Sequence, residues 1–129
     1  MAVRVYYEDT DAGAIVYHAS YVRFMERGRT EYLRAKGISQ RSLANAAPAD
    51  VILFAVRHME LDFLKPAKLD DLLEVTTKPV EIGGARVELE QGIWRGDELL
   101  AKAHVTVVGI GATGKAKRIP DALRHIFEI

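Results

Sequence analysis

The hydrophobic pattern opens with a short β-branched and aromatic stretch, residues 3–7, which predicts a strand. The acidic and small side chains of residues 8–14 do not continue it. Beyond them, apolar positions recur at the spacing of an amphipathic helix, at Tyr21, Phe24, Met25, Tyr32 and Leu33. Gly37 followed by Ile38 is typical of a helix C-terminus, so we predict one long helix over about residues 19–36.

The rest of the chain has the pattern of strands separated by turn residues. Four strands are predicted, at residues 51–64, 72–82, 85–95 and 99–110. On the first, one face carries Arg57, Met59, Leu61 and Phe63 and the other His58, Glu60 and Asp62; on the last, one face carries Ala101, Ala103, Val105 and Val107. The pairs Gly83-Gly84 and Gly96-Asp97 suit tight hairpins, because glycine readily takes positive φ angles. Pro120 predicts a short terminal helix at about residues 121–127.

A strand, a long helix and four strands joined largely by tight turns predict an α+β fold with a mostly antiparallel sheet. A single helix leaves an edge or face of such a sheet uncovered, so self-association is expected. The chain has 129 residues, of which 49% are hydrophobic and 28% charged, and this suits one globular domain over residues 1–129.

Charge and composition exclude several functional classes. Lys and Arg total 18 and Asp and Glu total 18, so the chain lacks the cationic surplus of a dedicated nucleic-acid binder. It contains no cysteine, which excludes disulfides and thiolate metal sites. The longest apolar run, residues 51–56, is far shorter than the ~20 residues of a membrane span, and residues 1–4 do not resemble a signal peptide. We therefore expect a cytoplasmic protein.

Three familiar motifs are absent or fail on their context. Residues 109–114 match G-x-G-x-x-G, but residues 115–120 do not predict the helix that a dinucleotide site needs, so a flexible loop is favoured. No G-x-S-x-G motif is present, which disfavours a serine hydrolase. No metal site is expected, because metal-ligand spacing is absent among His18, His58, His104 and His125. Near the C-terminus, three cationic residues form a cluster: Lys115, Lys117 and Arg118. This cluster is either part of a solvated loop or a contact for the phosphates of a ligand.

Candidate chemistry is concentrated just before the long helix. Asp11 lies in a small-residue loop about seven positions ahead of the helix N-terminus, which offers unpaired N–H donors. Such donors can polarise a carbonyl and stabilise a developing oxyanion, by roughly 3 kcal/mol for each well-placed donor. The carboxylate would then act as base or nucleophile. From composition alone, the alternative is that Glu8, Asp9 and Asp11 form a solvated turn with helix-capping acids.

The same segment carries a family resemblance. Tyr6-Tyr7-Glu8-Asp9-Thr10-Asp11-Ala12-Gly13-Ala14-Ile15-Val16-Tyr17-His18-Ala19-Ser20-Tyr21, continued by residues 22–31, resembles the signature of hotdog-fold acyl-CoA thioesterases of the 4-hydroxybenzoyl-CoA thioesterase family. The likeness is greatest to the Tol-Pal-associated, YbgC-type branch. It continues through residues 54–57 and 66–72 and covers the chain from residue 3 to about residue 108. The resemblance implies a long central helix wrapped by a five-stranded antiparallel sheet.

Residue by residue, the resemblance places the family's essential carboxylate at Asp11. It places the backbone N–H that grips the thioester carbonyl at His18. The His18 side chain and Tyr7 are further active-site candidates; the alternatives are a helix-entry residue and a core aromatic residue, respectively.

Contacts to coenzyme A are implied at Arg57, His58 and Lys65, where cations suit the anionic phosphates. A charged residue on a wet sheet face is the alternative for each. Glu26 and Glu31 on the helix are expected to be structural or supporting. Ala14 departs from the common family pattern, which has a second glycine there.

We therefore predict an enzyme that hydrolyses acyl-CoA thioesters without a metal or redox cofactor, coenzyme A being part of the substrate. Asp11 is either a general base or a nucleophile. The alternatives are a non-catalytic module that binds acyl-CoA or acyl carrier protein, and a hotdog hydratase. A homo-oligomer is expected, either a dimer or a dimer of dimers, with acyl carrier protein as a further partner.

Overall fold

Five strands form one antiparallel sheet in the computed structural model, which describes residues 1–128. The elements are β1 (Ala2–Arg4), α1 (His18–Ala35), α2 (Gln40–Ala44), β2 (Leu53–Phe63), β3 (Leu72–Ile82), β4 (Arg86–Arg95), β5 (Glu98–Ile110) and α3 (Asp121–Arg124). The strand order is β1-β3-β4-β5-β2, and every pairing is antiparallel. The prediction of an α+β fold with a five-stranded antiparallel sheet and one long helix is confirmed.

Helix α1 begins and ends within one residue of the predicted bounds. At its C-terminus the Ile38 N–H donates to the Leu33 carbonyl (2.9 Å) and the Gly37 N–H to the Arg34 carbonyl (3.0 Å). Gly37 has a φ of +82°, so this is the left-handed glycine cap that the sequence predicts. Within residues 1–128, no helix is long and apolar enough to cross a membrane.

The core lies between α1 and the inner face of the sheet, where α1 packs on β3 and β4. The predicted alternation along β5 is confirmed by four buried inner-face side chains, those of Ala101, Ala103, Val105 and Val107. The buried Gln91 side chain on β4 donates to the Met25 carbonyl (2.9 Å), which fastens the helix to the sheet.

Gly28 allows the close approach of α1 to β3. A Cβ built at Gly28 would lie 2.7 Å from Val75 Cγ1, and valine is stiff about χ1 and cannot swing away. We expect Gly28→Ala to destabilise the fold by about 1–3 kcal/mol through overpacking. Helix propensity alone predicts the opposite sign, a gain of about 0.5–1 kcal/mol. Urea denaturation distinguishes the two, and a more stable variant would contradict the packing account.

Strand β2 is an edge strand with a bulge. Its pairing with β5 shifts between Val56 and His58, so Arg57 is the extra residue and does not continue the face of Met59 and Leu61 as predicted. Met59 and Leu61 pack against the core. Toward the end of the strand Phe63 is 52% exposed, although the pattern places it on the same face.

The first strand is shorter than predicted. Residues 3–7 have high β propensity, but β1 ends at Arg4 and a 3₁₀ turn forms over Tyr7–Asp9. The Asp9 carboxylate accepts the Tyr6 N–H (2.8 Å), and the Thr10 N–H donates to the Tyr7 carbonyl (3.1 Å). These local bonds turn the chain away from the sheet, so side-chain capping overrides strand propensity here.

Other differences occur in the connections. Gly83 and Gly84 do not take positive φ angles, and β3 and β4 are joined by three residues in which the Gly83 N–H donates to the Arg86 carbonyl (2.7 Å). Helix α2 was not predicted, although its N-cap Ser39 is a capping residue that accepts the Ser42 N–H (3.4 Å). As expected, no helix follows residues 109–114; the chain turns back, with Ile110 paired to Ala116.

Candidate active site

Asp11 lies in a tight loop, residues 10–16, that we call the Asp11 loop. Thr10 and Val16 pair across its base, and the Asp11 N–H donates to the Ile15 carbonyl (2.9 Å). The Oδ1 atom of Asp11 accepts the N–H groups of Gly13 (2.8 Å) and Ile15 (3.4 Å). Oδ2 has no hydrogen-bond donor within residues 1–128, and the side chain is exposed. One oxygen therefore fixes the carboxylate while the other faces solvent.

Ala14 in this loop has a φ of +60°, in the left-handed region that favours glycine. The family pattern has glycine at this position, and glycine adopts this backbone conformation without the steric cost that alanine has. An alanine in this conformation costs about 1–2 kcal/mol, which the contacts of the loop must offset.

The neighbouring acid, Asp9, is structural. Its carbonyl accepts the Tyr17 N–H (2.9 Å) and the Ser20 hydroxyl (3.1 Å), so it ties the Asp11 loop to the start of α1. Its buried carboxylate caps Tyr6 and lies 4.0 Å from Arg23 Nη2. The alternative predicted for the acidic segment was a solvated turn with helix-capping acids: Asp9 does cap a turn, the 3₁₀ turn at Tyr6, but is buried, and the exposed Asp11 accepts N–H groups of its own loop.

His18 is the first residue of α1, which agrees with its predicted position at the helix start. Within residues 1–128, the N–H groups of His18 and Ala19 have no protein acceptor. These are the unpaired donors that a helix N-terminus offers to an electron-rich oxygen. The His18 ring lies against Tyr17 (4.2 Å between centroids) and near Phe63 (6.5 Å).

A cleft of about 300 Å³ opens beside this helix start. Its walls are mainly apolar and aromatic and include one charged residue, Lys65. The lining residues are Ile15, Val16, His18, Tyr21, Phe63, Leu64, Lys65 and Pro66. Asp11 is not part of the wall, but the loop that holds its carboxylate contributes Ile15 and Val16. An apolar cleft beside unpaired N–H donors suits a ligand with a carbonyl and a hydrocarbon chain.

The three candidate coenzyme contacts are not brought together. The Lys65 ammonium lies at the cleft and donates to Glu98 Oε2 (2.8 Å), and the bonds from Lys65 and then Arg95 lower the pKa of Glu98. Arg57 is at the bulge, and Phe63 is six positions farther along the strand, about 20 Å away. His58 is exposed beside Glu60, with 3.4 Å between Nε2 and Oε1.

Tyr7 is 82% exposed and does not line the cleft, so the alternative of a core aromatic residue is wrong. It lies in the 3₁₀ turn next to the Asp11 loop.

Glu26 and Glu31 lie farther along α1. Glu26 is eight residues after His18, about 12 Å along the helix, and accepts the Thr30 hydroxyl (3.4 Å). It borders a separate cavity of about 80 Å³ with Arg29, whose pKa burial lowers. Glu31 pairs with Arg34 (3.3 Å). These contacts fit the structural roles expected of both acids.

One residue of the cationic cluster near the C-terminus, Lys117, has a structural role. The Lys117 ammonium donates to the carbonyls of Ala49 (2.7 Å) and Val51 (3.0 Å), which links the turn after β5 to the segment before β2. Within residues 1–128, no three acidic or histidine side chains are grouped as metal ligands would be.

Sequence reasoning missed part of the cleft wall. Phe63 and Leu64 lie at the end of the β2 region and are exposed; the signal available in the sequence was an apolar pair shortly before Pro66. Tyr21 was predicted as a helix core residue and is buried, but its hydroxyl also accepts the Ala67 N–H (2.9 Å) beside the cleft.

Comparison with known proteins identifies the family. The model of the thioesterase superfamily matches residues 13–102. The chain belongs to the thioesterase superfamily. It is 48% identical to the acyl-CoA thioester hydrolase YbgC of Escherichia coli over 128 residues, 98% of this chain and 92% of that protein. It is 45% identical to the acyl-CoA thioesterase YbgC of Haemophilus influenzae over 127 residues, 97% of this chain and 90% of that protein.

The fold agrees with the same family. A crystal structure of a probable thioesterase from Bartonella henselae superposes with a TM-score of 0.89 at 42% identity and covers 93% of this chain and 97% of that one. The predictions of a hotdog thioesterase fold and of a thioesterase enzyme are thereby confirmed.

Proposed function

We propose that this thioesterase hydrolyses acyl-coenzyme A thioesters to the free acid and coenzyme A, with Asp11 and the His18 N–H as its catalytic groups. The observation that carries the proposal is an exposed carboxylate in a loop that contributes Ile15 and Val16 to an apolar cleft, at which a helix also begins with unpaired N–H donors. The YbgC relatives, named for acyl-CoA thioester hydrolysis, support the substrate class.

In the general-base route, Asp11 accepts a proton from water as the water oxygen attacks the thioester carbonyl carbon. The carbonyl oxygen becomes an oxyanion, which the His18 N–H stabilises. The C–S bond then breaks, the coenzyme A thiolate leaves, and the proton passes to the thiolate. Asp11 returns to its ionised form.

In the nucleophilic route, a carboxylate oxygen of Asp11 attacks the same carbon and the C–S bond breaks, which leaves an acyl-enzyme anhydride. Coenzyme A leaves as the thiolate, water then hydrolyses the anhydride to the free acid and restores the Asp11 carboxylate, and the proton released passes to the thiolate. The unpaired Oδ2 suits either route, since Oδ1 is engaged by Gly13 and Ile15. Both routes therefore place the same demand on Asp11 and on the helix N-terminus.

The two alternatives are less well supported. A hydratase needs a histidine paired with an acid, but the histidine–carboxylate pairs within residues 1–128 are His58–Glu60 and His104–Glu88, and neither includes His18. A non-catalytic binding module has no use for a carboxylate aimed at a substrate carbonyl, the role proposed for Asp11. Acyl carrier protein stays a candidate partner, as an alternative carrier of the acyl group.

The proposed hydrolysis is tested by thiol release from a series of acyl-CoA substrates of increasing chain length. Saturable release, with a preferred length, is the expected result. Release no faster than without protein at every length would overturn the proposal. The same assay with the acyl groups attached to acyl carrier protein tests whether that protein is a second carrier of the substrate. A cytoplasmic location and an association with the Tol-Pal system stay predictions from the sequence.

We also propose that the cleft is completed by a second copy of the chain. β2 is an edge strand with no partner on its outer side within residues 1–128. Exposed apolar side chains lie along this strand and at its end, at Leu53, Val56, Phe63 and Leu64. An exposed, partly apolar edge is a template for pairing, and Phe63 and Leu64 belong to the cleft.

Light scattering on the active protein at micromolar concentration tests this assembly. We expect a mass of at least twice the 14.3 kDa of one chain. A fully active species with the mass of one chain would contradict it.

A further inference from the structure

Residues 65–71, here called the bracing segment, lie beside the Asp11 loop and hold it by backbone bonds. The Val16 N–H donates to the Ala67 carbonyl (2.9 Å), and the Leu69 N–H donates to the Ala14 carbonyl (3.1 Å). Ile15 and Lys68 form a bridge between these bonds. The position of the Asp11 loop therefore depends on the position of the bracing segment.

Arg95, at the end of β4, clamps both ends of the bracing segment. Its Nη1 donates to Asp71 Oδ2 (2.7 Å) and to the Pro66 carbonyl (3.4 Å). The same Asp71 oxygen accepts the Lys68 N–H (2.9 Å), which closes the turn of the segment. Nη2 of Arg95 donates to Glu98 Oε1 (2.5 Å), so the guanidinium is itself anchored to β5.

Each of the two joined segments holds a non-glycine residue in the left-handed region. Ala14 has a φ of +60° and Asp70 a φ of +71°, and these are the non-glycine residues with positive φ within residues 1–128. Such conformations persist only where the surroundings hold them. Arg95 supplies part of that support from outside both segments.

We propose that Arg95 is a positioning residue: it holds the bracing segment so that the Asp11 loop keeps Asp11 in register with the helix N-terminus. The inference rests on the proposed function of Asp11. Arg95 does not contact Asp11; it acts through Asp71 and through the carbonyl of Pro66, a residue of the cleft wall. Because its side chain is about one-third exposed (33%), its ion pairs are expected to add little to the free energy of unfolding.

The test compares Arg95→Gln with Arg86→Gln. Arg86 begins the same strand and also contacts two carboxylates, Glu81 (3.0 Å) and Glu88 (3.3 Å), at 44% exposure, but it lies far from the bracing segment. We expect Arg95→Gln to lower kcat about 10-fold or more with KM within about twofold, since small displacements of catalytic groups are costly. Arg86→Gln should leave both constants within about twofold of wild type.

Amide hydrogen exchange supplies a readout that does not require catalysis. In Arg95→Gln, the Val16 and Leu69 amides should exchange at least about 10-fold faster, while the amide of buried Val105 should not change. Wild-type exchange at Val16 and Leu69, or an equal fall in kcat in both variants, would overturn the proposal. If wild type proves inactive toward acyl-CoA, the exchange result still decides the role of Arg95.

A second variant covers the case in which Arg95→Gln fails to fold. Asp71→Asn removes the charge of the other partner but retains a side-chain oxygen for the Lys68 N–H. It should show the same faster exchange at Val16 and Leu69 and the same kcat loss, to a smaller extent. Exchange and kcat at wild-type values in a folded Asp71→Asn would overturn the proposal.

Discussion

The Asp11→Asn variant is expected to fold normally and to lose at least ~100-fold in kcat for acyl-CoA hydrolysis. An amide cannot accept a proton at neutral pH and is not an oxygen nucleophile, so both catalytic routes fail. The fold is retained because the amide oxygen can still accept the N–H groups of Gly13 and Ile15. Steady-state thiol release measures the loss, and circular dichroism verifies the fold.

Glu8→Gln is the matched control, since Glu8 is an exposed acid in the same segment and forms no side-chain bond within residues 1–128. Its kcat should stay within about twofold of wild type. An Asp11→Asn enzyme that turns over at nearly the wild-type rate would refute the catalytic role of the carboxylate, while the fold assignment would be unaffected.

Removal of the proposed coenzyme contacts is expected to raise KM with little change in kcat. A contact to a phosphate is made equally in the ground and transition states, so its loss weakens binding alone. Lys65→Ala and Arg57→Ala should each cost ~1–3 kcal/mol per lost charged hydrogen bond, about 5- to 150-fold in KM. The two residues differ in position: Lys65 lines the cleft, whereas Arg57 lies at the β2 bulge.

The control substrate carries the same acyl group on a short thiol without phosphates, and its use should not change in either variant. Lys102→Ala controls for the general loss of positive charge, because Lys102 is an exposed lysine on β5 that does not line the cleft. If the short thioester suffers as much as acyl-CoA, Lys65 and Arg57 support the structure and do not bind coenzyme A.

The elements best predicted from the sequence are those whose signals are local. β3 has the predicted bounds, since its pattern of apolar and polar residues stops at Gly83. Helix α1 ends where Gly37 and Ile38 predict, because the glycine cap depends only on adjacent residues. The error at residues 3–7 is also local in origin: the Asp9 side chain competes with the strand for the Tyr6 N–H.

The candidate site also contains residues that local sequence signals predict and residues that they do not. Asp11 is predicted from its place about seven residues ahead of the helix start together with a family resemblance, and His18 is predicted from that resemblance. The Arg95–Asp71 pair joins residues 24 apart in sequence, brought together by a β3–β4 pairing whose register shifts at a bulge between Pro79 and Glu81. Non-local contacts of this kind are the part of the site that only the folded chain provides.

The measurement that tests the central claim most directly is a crystal structure of the Asp11→Asn variant with a bound acyl-CoA. The account predicts that the thioester carbonyl oxygen accepts the His18 N–H at about 2.7–3.1 Å, with the carbonyl carbon facing the substituted side chain. A thioester bound with its carbonyl away from the start of α1, or with the acyl chain outside the cleft of Phe63 and Leu64, would contradict it.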